Sequence, residues 1–320
     1  MNKHTDFGIS QFIEDRQLNV DSKIGRIIKQ TNHTFTVATM EGLLEQVKQK
    51  RTKKEKKKNN FNHTYVVGDF VTIEEDEEHF FLGEYFERKN IVSKAESKAK
   101  KSFREQTVEQ IMAANIDHVF ITISADQRFT LSKLERYILT FTVPNATLDI
   151  LITKADYKEQ AHYLTKQIEA SDFNEDVFNT SIFDQTTINQ IKNKITENST
   201  SILLGASGAG KSTLINKIIG ESDEKTGAVR SDGKGKHTTT YSSLVSIPGK
   251  NAYIIDTPGM KSISTTQEIN NNLFDDILDF SKDCKFRNCQ HNTEPHCAVK
   301  QAVEDGLLSQ ERLERYRKYN

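Results

Sequence analysis

Short apolar runs alternate with longer polar segments through the central part of the chain. Five of these runs are predicted to be β-strands, at residues 118–123, 148–152, 177–180, 201–204 and 252–255. The segments between them are long enough to form helices. Alternating strands and helices are typical of a parallel sheet covered on both faces, so the pattern predicts an α/β domain.

The N-terminal part of the chain has a different pattern. Between about residues 23 and 91, short runs of β-forming residues occur at 24–28, 34–38 and 65–67, and Gly68 with Asp69 marks a turn. This pattern predicts a small β-barrel. A stretch rich in Lys and Glu follows and is predicted to be helical, as is most of the chain after about residue 270.

Composition indicates a globular protein rather than a disordered or fibrous one. Of the 320 residues, 35% are hydrophobic and 28% charged, and the formal net charge is -1. This length favours two or three domains. No run approaches the roughly 20 apolar residues that span a bilayer, and the polar start lacks the apolar core of a signal peptide. We therefore expect a cytoplasmic protein with no membrane association.

A candidate phosphate-binding loop follows the predicted strand at residues 201–204. The motif is G-x-x-x-x-G-K-S, and it leads into an amphipathic helix. Its glycines let backbone N–H groups surround phosphate oxygens, Lys211 would reach the β- and γ-phosphates, and Ser212 would bind magnesium. A glycine-rich turn before an ordinary helix is the alternative. The candidate nucleotide-binding residues here are Gly205, Ala206, Ser207, Gly208, Ala209, Gly210, Lys211, Ser212 and Thr213.

A second phosphate element follows the last predicted strand and reads Asp256-Thr257-Pro258-Gly259. Asp256 can hold magnesium, usually through water, and the N–H of Gly259 can face a γ-phosphate. Taken alone, this sequence could be a simple Pro-Gly turn. Its position after a phosphate-binding loop favours nucleotide binding.

Thr153, Lys154 and Asp156 lie at the end of an apolar strand, where a doubly wound fold places ligand-binding residues. The Asp156 carboxylate could accept hydrogen bonds from N1–H and the 2-amino group of guanine, and the stem of Lys154 could lie along the ring. Adenine lacks this donor pair, so the motif favours GTP over ATP. Considered alone, a plain strand-end loop is equally plausible, and Thr153 stands where GTPases usually have Asn. Ser181 is a further candidate contact to the base.

The order of these motifs is the reverse of the usual one. Asp156 precedes Gly205, whereas in ordinary GTPases the phosphate loop comes first. The same sheet can still form, because new termini at exposed loops leave the core undisturbed. We therefore predict a circularly permuted P-loop GTPase domain.

All three cysteines lie within fourteen residues near the C-terminus. An odd number does not suit a disulfide framework. Cys284, Cys289, His291 and Cys297 form the pattern C-x4-C-x-H-x5-C, which suits a closed, structural, tetrahedral zinc site. Free buried thiols are the alternative.

Together these motifs resemble those of the circularly permuted GTPases of small ribosomal subunit biogenesis, the RsgA (YjeQ) family. The resemblance covers nearly the whole chain. It rests on residues 113–117, the TKAD sequence, GASGAGKSTLIN, GKGKHTTT at residues 233–240, DTPG and the cysteine cluster.

The resemblance implies three domains. These are an N-terminal OB-fold β-barrel with a basic insertion and linker in residues 1–105, the GTPase domain in residues 106–269, and a zinc-binding helical domain in residues 270–320. It also implies an enzyme that converts GTP to GDP and phosphate with Mg²⁺, carries one structural zinc, and binds the small ribosomal subunit and its rRNA during late maturation. We expect a monomer.

The resemblance assigns a magnesium ligand of the switch loop to Thr239, with Thr238 as the alternative, and favours His291 over His296 at the zinc. Met260 occupies the position where many GTPases have a water-orienting Gln. Slow intrinsic turnover and stimulation by the subunit are therefore expected. His237 is a candidate for positioning water, or else a solvent-facing or RNA-contacting residue. The predicted catalytic residues are Lys211, Thr239 and His237.

Basic side chains are concentrated in the insertion. Residues 48–58 contain eight Lys and Arg and one Glu, and could bind rRNA phosphates or form a solvated loop. Two competing functions remain open: a nucleotide-gated RNA-binding module with negligible turnover, which Met260 favours, and an ATPase, which Asp156 argues against. Further basic candidates for RNA contact are Lys94, Lys98, Lys100, Lys101 and Arg104.

Overall fold

The structure is a computed structural model that describes residues 6–18, 23–49, 65–96, 108–171, 173–220, 241–258, 274–286, 288–308 and 310–319. Its strands are β1 (Ile24–Gln30), β2 (Phe35–Thr39), β3 (Gly42–Gln49), β4 (Phe70–Glu75), β5 (Phe80–Tyr85), β6 (Ile91–Glu96), β7 (Val108–Ala114), β8 (His118–Ser124), β9 (Thr147–Thr153), β10 (Val177–Thr180), β11 (Thr200–Gly205), β12 (Ser243–Ser246) and β13 (Tyr253–Asp256). Its helices are α1 (Ile9–Asp15), α2 (Leu131–Phe141), α3 (Lys158–Glu169), α4 (Gln185–Lys194), α5 (Lys211–Ile219), α6 (Asp275–Ser281), α7 (Ala298–Glu304) and α8 (Gln310–Tyr319).

Strands β1 to β5 close into a barrel, which confirms the predicted OB-fold. β1 pairs with β2 and β4, β2 with β3, and β5 with both β3 and β4. The barrel core contains Ile27, Val37, Val47 and Val71, all inaccessible to solvent. Each of these five strands pairs with two others, which closes the barrel around this core.

Two details of the predicted N-terminal half are wrong. Residues 65–67 are not a strand, since Val67 makes only an isolated bridge to Ala113 and β4 begins after the Gly68-Asp69 turn. The stretch predicted to be helical begins instead as β6, which pairs antiparallel with β7. Its Val92 is fully buried, so tertiary pairing prevails over local helix propensity. The rest of that stretch, residues 97–107, lies outside the described residues.

The central sheet has the strand order β10-β9-β8-β11-β13-β12. The first five strands are parallel and correspond to the five predicted runs, whereas β12 was not predicted and runs antiparallel to β13. Residues of α4 and α5 pack on this sheet in one apolar cluster that includes Ile191, Leu203, Leu214 and Ile254. The predicted α/β class is confirmed. The carboxyl ends of β8, β9, β11 and β13 therefore share one edge.

The barrel and the central sheet are joined through β1. Lys29 of β1 pairs with Ser243 of β12, so the two sheets are continuous. Beside this junction the buried Arg26 guanidinium donates to Thr200 Oγ1 at 2.8 Å and to Phe7 O at 3.0 Å, and lies over the Phe70 ring. Burial lowers the pKa of Arg26 to about 10, which leaves it charged at neutral pH.

The chain divides into two compact units, Met1–Thr265 and Thr266–Asn320. In the second unit, α6, α7 and α8 bury Ile277, Val299 and Leu313, and the Phe274 and Tyr316 rings meet edge to face. Across the described ranges, no helix has both the length and the apolar character that crossing a membrane requires.

Candidate nucleotide-binding site and metal centre

The glycine-rich loop lies between β11 and α5, as the motif predicts. A Cβ on Gly205 would come within 2.3 Å of Thr122 O on the neighbouring strand, so only glycine fits there. Gly208 and Gly210 have φ angles of 78° and 83°, in the left-handed region that glycine tolerates. The loop therefore passes close over the sheet and ends at the N-terminus of α5, where the helix dipole favours an anion.

The Lys211 side chain is held in place by two carbonyl groups of this loop. Its ammonium donates to the carbonyls of Gly205 and Ala206, both at 3.0 Å, and the residue is only 5% exposed. Burial lowers the pKa of Lys211, and the nearby Asp256 carboxylate opposes that shift. The charge is thus already positioned beside the loop.

Two oxygen-bearing side chains meet next to Lys211. Ser212 Oγ, at the start of α5, donates to Asp256 Oδ1 at the end of β13 over 3.2 Å. Hydroxyl and carboxylate oxygens are ligands that Mg²⁺ prefers. Thr257 fixes the exit of β13, because its buried hydroxyl donates to Leu203 O at 2.8 Å.

Thr153 connects the end of β9 to the glycine-rich loop. Its hydroxyl lies 2.7 Å from Ala209 O and 3.0 Å from Ile123 O, so one proton is shared between two carbonyls. The residue is only 4% exposed. Thr153 therefore acts between main chains of three neighbouring segments, a role that its position in the motif did not indicate.

Asp156 lies on the same edge and is oriented by Ser181. The Ser181 hydroxyl donates to Asp156 Oδ1 at 2.8 Å, and the loop is fixed further by a bond from Ala155 N to Thr180 O. Asp156 itself is exposed, whereas Ser181 is buried. The bond from Ser181 therefore holds Oδ1 of Asp156 in place and restricts the orientation of the whole carboxylate.

Sequence reasoning missed a third segment that contacts both loops, directly after β8. The Asp126 carboxylate lies 2.7 Å from Lys154 Nζ and accepts from Ser124 Oγ at 2.5 Å. These bonds lower the pKa of Asp126, with the Lys154 contact as the larger cause. The Gln127 amide donates to Ser207 O at 3.2 Å. The available signal was a pair of polar residues at the carboxyl end of a predicted strand.

Several candidate residues lie outside the described residues. These are Gly259, Thr239, His237 and the alternative Thr238 of the nucleotide site, Met260, most of the basic insertion, and Lys98, Lys100, Lys101 and Arg104.

The four predicted zinc ligands come together in the C-terminal unit. The candidate ligand atoms of Cys284, Cys289, His291 and Cys297 all lie within 4.8 Å of one another. Cys284 Sγ is 3.8 Å from Cys297 Sγ and 3.5 Å from His291 Nδ1. A tetrahedron with Zn–S bonds of about 2.3 Å has S···S edges of about 3.8 Å, so the spacing fits zinc. His296 is exposed and is not part of the cluster.

Protonation at this cluster also fits a metal. Burial, with the neighbouring thiols, raises the pKa of Cys289 to about 11, and burial lowers the pKa of His291. A neutral imidazole is the form that binds metal, whereas crowded thiols become thiolates only if a cation compensates their charge. Arg317 donates to His291 O and Tyr316 contacts the His291 ring, which fixes this ligand.

Comparison with known proteins shows the family to which this chain belongs. The family model described as RsgA GTPase matches residues 85–266. A small ribosomal subunit biogenesis GTPase RsgA 1 from Listeria monocytogenes is 31% identical over 321 residues, which cover 98% of this chain and 87% of the relative. The chain belongs to the RsgA GTPase family. It is a GTPase, and guanine nucleotides are the ligands of its family. The corresponding protein of Oceanobacillus iheyensis is 35% identical, with coverage of 79% and 72%.

Solved structures agree with the RsgA assignment. The crystal structure of YloQ, described as a circularly permuted GTPase, matches with a TM-score of 0.59 and 26% identity over 94% of each chain. YjeQ from Thermotoga maritima matches with the same TM-score at 23% identity, which supports the fold. The predicted circular permutation is confirmed.

Proposed function

We propose that this chain hydrolyses GTP during late maturation of the small ribosomal subunit, and that the subunit stimulates its turnover. The names of the RsgA relatives support the process. The observation that carries the proposal is the shared sheet edge, where Asp156, fixed by Ser181, lies with the glycine-rich loop, Lys211 and the Ser212–Asp256 pair. An RNA-binding module that does not bind nucleotide would not need this combination.

In the proposed complex, Asp156 binds N1–H and the 2-amino group of guanine. The bond from Ser181 supports this role, because it restricts the carboxylate without neutralising it. Lys154 contributes its stem along the ring while Asp126 holds its ammonium. Thr153 keeps this base-binding segment at a fixed distance from the phosphate loop through Ala209 O.

At the phosphates, the N–H groups of residues 205–213 surround the anion and Lys211 contacts the β- and γ-phosphates. Lys211 must exchange its two carbonyl partners for phosphate oxygens when nucleotide binds. Ser212 and Asp256, which already face each other, would hold Mg²⁺, and Thr239 and Gly259 would complete the γ-phosphate contacts. Such an ion would stabilise the negative charge on the β- and γ-phosphate oxygens during hydrolysis.

Stimulation by the subunit follows from Met260, which cannot orient a water as Gln does. Supplying a missing catalytic group can accelerate GTP hydrolysis by about 10⁵-fold, or roughly 7 kcal/mol of barrier. We propose that the subunit orders His237 against the attacking water. Cys284, Cys289, His291 and Cys297 hold one structural zinc that stabilises the C-terminal unit. The monomeric chain binds rRNA through its basic insertion.

The test is single-turnover GTP hydrolysis with and without purified small subunits, using large subunits as the control. A rise in rate only with small subunits supports the proposal, and a His237→Ala variant should lose most of that rise. An equal, negligible rate under all three conditions would instead favour the nucleotide-gated binding module.

Nucleotide state should also control subunit binding, because Thr239 and Gly259 are both proposed to contact the γ-phosphate, which GTP has and GDP lacks. In a sedimentation assay, we expect the chain to bind the small subunit at least about tenfold more tightly with a non-hydrolysable GTP analogue than with GDP. Thr239→Ala should remove this difference while leaving GDP affinity unchanged. Equal affinity in both states of the native protein would refute the coupling.

A further inference from the structure

An exposed aromatic residue, Phe183, lies beside the carboxylate proposed to bind guanine. It belongs to the turn between β10 and α4. It is 82% exposed, more than any other large hydrophobic residue in the described ranges. A single exposed apolar side chain is common on protein surfaces, so it is the position of Phe183 that indicates a role.

The main chain of Phe183 is tied to the Asp156 carboxylate through one hydroxyl. Phe183 N–H donates to Ser181 Oγ at 3.3 Å, and the same hydroxyl donates to Asp156 Oδ1 at 2.8 Å. The turn is also fixed from its other end. Asp184 N donates to Ser181 O at 3.1 Å, and Thr187 Oγ1 accepts from Ser181 N at 3.1 Å. The turn therefore keeps the backbone of Phe183 within two hydrogen bonds of the proposed base-binding carboxylate.

Strand order places Phe183 across the end of β9 from the Lys154 ammonium. The three neighbouring strands lie in the order β10, β9, β8. Lys154 follows β9, and its ammonium is held at 2.7 Å by Asp126, which follows β8. Phe183 follows β10, on the other side of β9. A purine bonded to Asp156 is therefore approached from the β8 side by Lys154 and from the β10 side by Phe183.

We propose that the Phe183 ring stacks on the guanine base and is a binding residue of the nucleotide site. This inference rests on the proposed function, because it takes Asp156 as the guanine-binding carboxylate. Aromatic rings stack on the flat face that every base has, so Phe183 contributes affinity rather than base selectivity, which remains with Asp156. When nucleotide leaves, the ring returns to water, which accounts for its exposure.

The first test uses fluorescence. The chain contains no tryptophan, so Phe183→Trp introduces a single indole as a reporter. Because an indole stacked on guanine is quenched, titration of this variant with GDP and Mg²⁺ should lower its emission in step with binding measured by calorimetry. Tyr163→Trp, at an exposed aromatic position further along α3, should bind GDP without quenching. Unchanged emission of Phe183→Trp while GDP binds overturns the proposal.

The second test is GDP affinity, measured by calorimetry on the full chain. Phe183→Ala should bind GDP at least about fivefold more weakly than the native chain, whereas Phe183→Tyr, which keeps the ring, should bind it as the native chain does. Tyr163→Ala is the control for loss of an exposed aromatic ring elsewhere and should leave GDP affinity unchanged. Urea unfolding of each variant separates a loss of affinity from a loss of folding.

Failure of this inference differs from failure of the proposed function. Native GDP affinity in Phe183→Ala would remove Phe183 from the nucleotide site and leave the GTPase intact. If that variant instead bound small ribosomal subunits more weakly, the ring would belong to the subunit interface, and stacking would be wrong. Absence of GDP binding by the native chain would refute the nucleotide site itself, and the stacking role with it.

Discussion

Replacing Thr153 by Val should weaken guanine-nucleotide binding without destroying the site. The hydroxyl of Thr153 is the described side-chain link between the end of β9 and Ala209 of the phosphate loop. Valine preserves the β-branched shape and the burial, so the substitution removes a hydrogen bond and little else. The nucleotide site then loses one constraint on the distance between its base-binding segment and its phosphate loop.

The magnitude follows from the burial of the bond. Thr153 is 4% exposed and Ala209 1% exposed, so the lost hydrogen bond is not replaced by bulk water. Removing one partner of a buried hydrogen bond and leaving the other unsatisfied costs about 1–3 kcal/mol, which corresponds to about a 5- to 160-fold change in an equilibrium constant. If the bond holds the loop in its binding conformation, GDP affinity can fall by up to that factor.

Thr180→Val is the matched control. Thr180 pairs with Thr153 in the register of β9 and β10, and it is also a buried threonine at a strand end. Its hydroxyl, however, has no partner among the described residues. Titration of a fluorescent GDP analogue should show weaker binding for Thr153→Val and no loss for Thr180→Val, and urea unfolding should rank them likewise. Equal behaviour of the two variants would refute the linking role of Thr153.

Three further substitutions test other parts of the molecule. Asp156→Asn should shift preference from GDP toward xanthosine diphosphate in competition titrations. An amide cannot accept hydrogen bonds from both guanine donors, and the donor left buried without a partner costs ~1–3 kcal/mol. Unchanged preference would contradict the assignment. Cys289→Ser should abolish zinc in elemental analysis yet retain GDP affinity; because the pKa of metal-free Cys289 is about 11, metal must displace its proton, so native zinc affinity should fall as pH is lowered. Arg88→Met should lower unfolding free energy by ~3 kcal/mol, because Asp69 is fully buried against that guanidinium, and adding Asp69→Asn should restore much of it.

The sequence predicted those features whose signal is local. Apolar runs located the five parallel strands, and the residues that follow them, from Thr153 to Asp156 and from Gly205 to Ser212, indeed meet at one edge. The cysteine spacing likewise predicted a four-ligand cluster. In each case the predictive signal lies within a few residues along the chain.

Features that depend on distant pairing could not be predicted in the same way. Asp126 contacts Lys154 only because β8 and β9 are neighbours in the sheet, and Gln127 reaches Ser207 only because β11 lies on the other side of β8. β12 carries four residues with weak apolar character and exists through pairing with β13 and β1. Such contacts are set by strand order, which local periodicity does not encode.

Circular permutation changes what the nucleotide site is connected to. β12, which follows the predicted switch loop at residues 233–240, pairs on one side with β13 and on the other with β1 of the barrel. β13 ends at Asp256, and the chain after it leads to the unit that contains the zinc cluster. Each of the two segments proposed to sense the γ-phosphate is therefore joined by main chain to a different appended domain. If either segment changes conformation with nucleotide state, the pairing of β12 with β1 and the main chain after Asp256 are the routes by which the change would reach the barrel and the C-terminal unit.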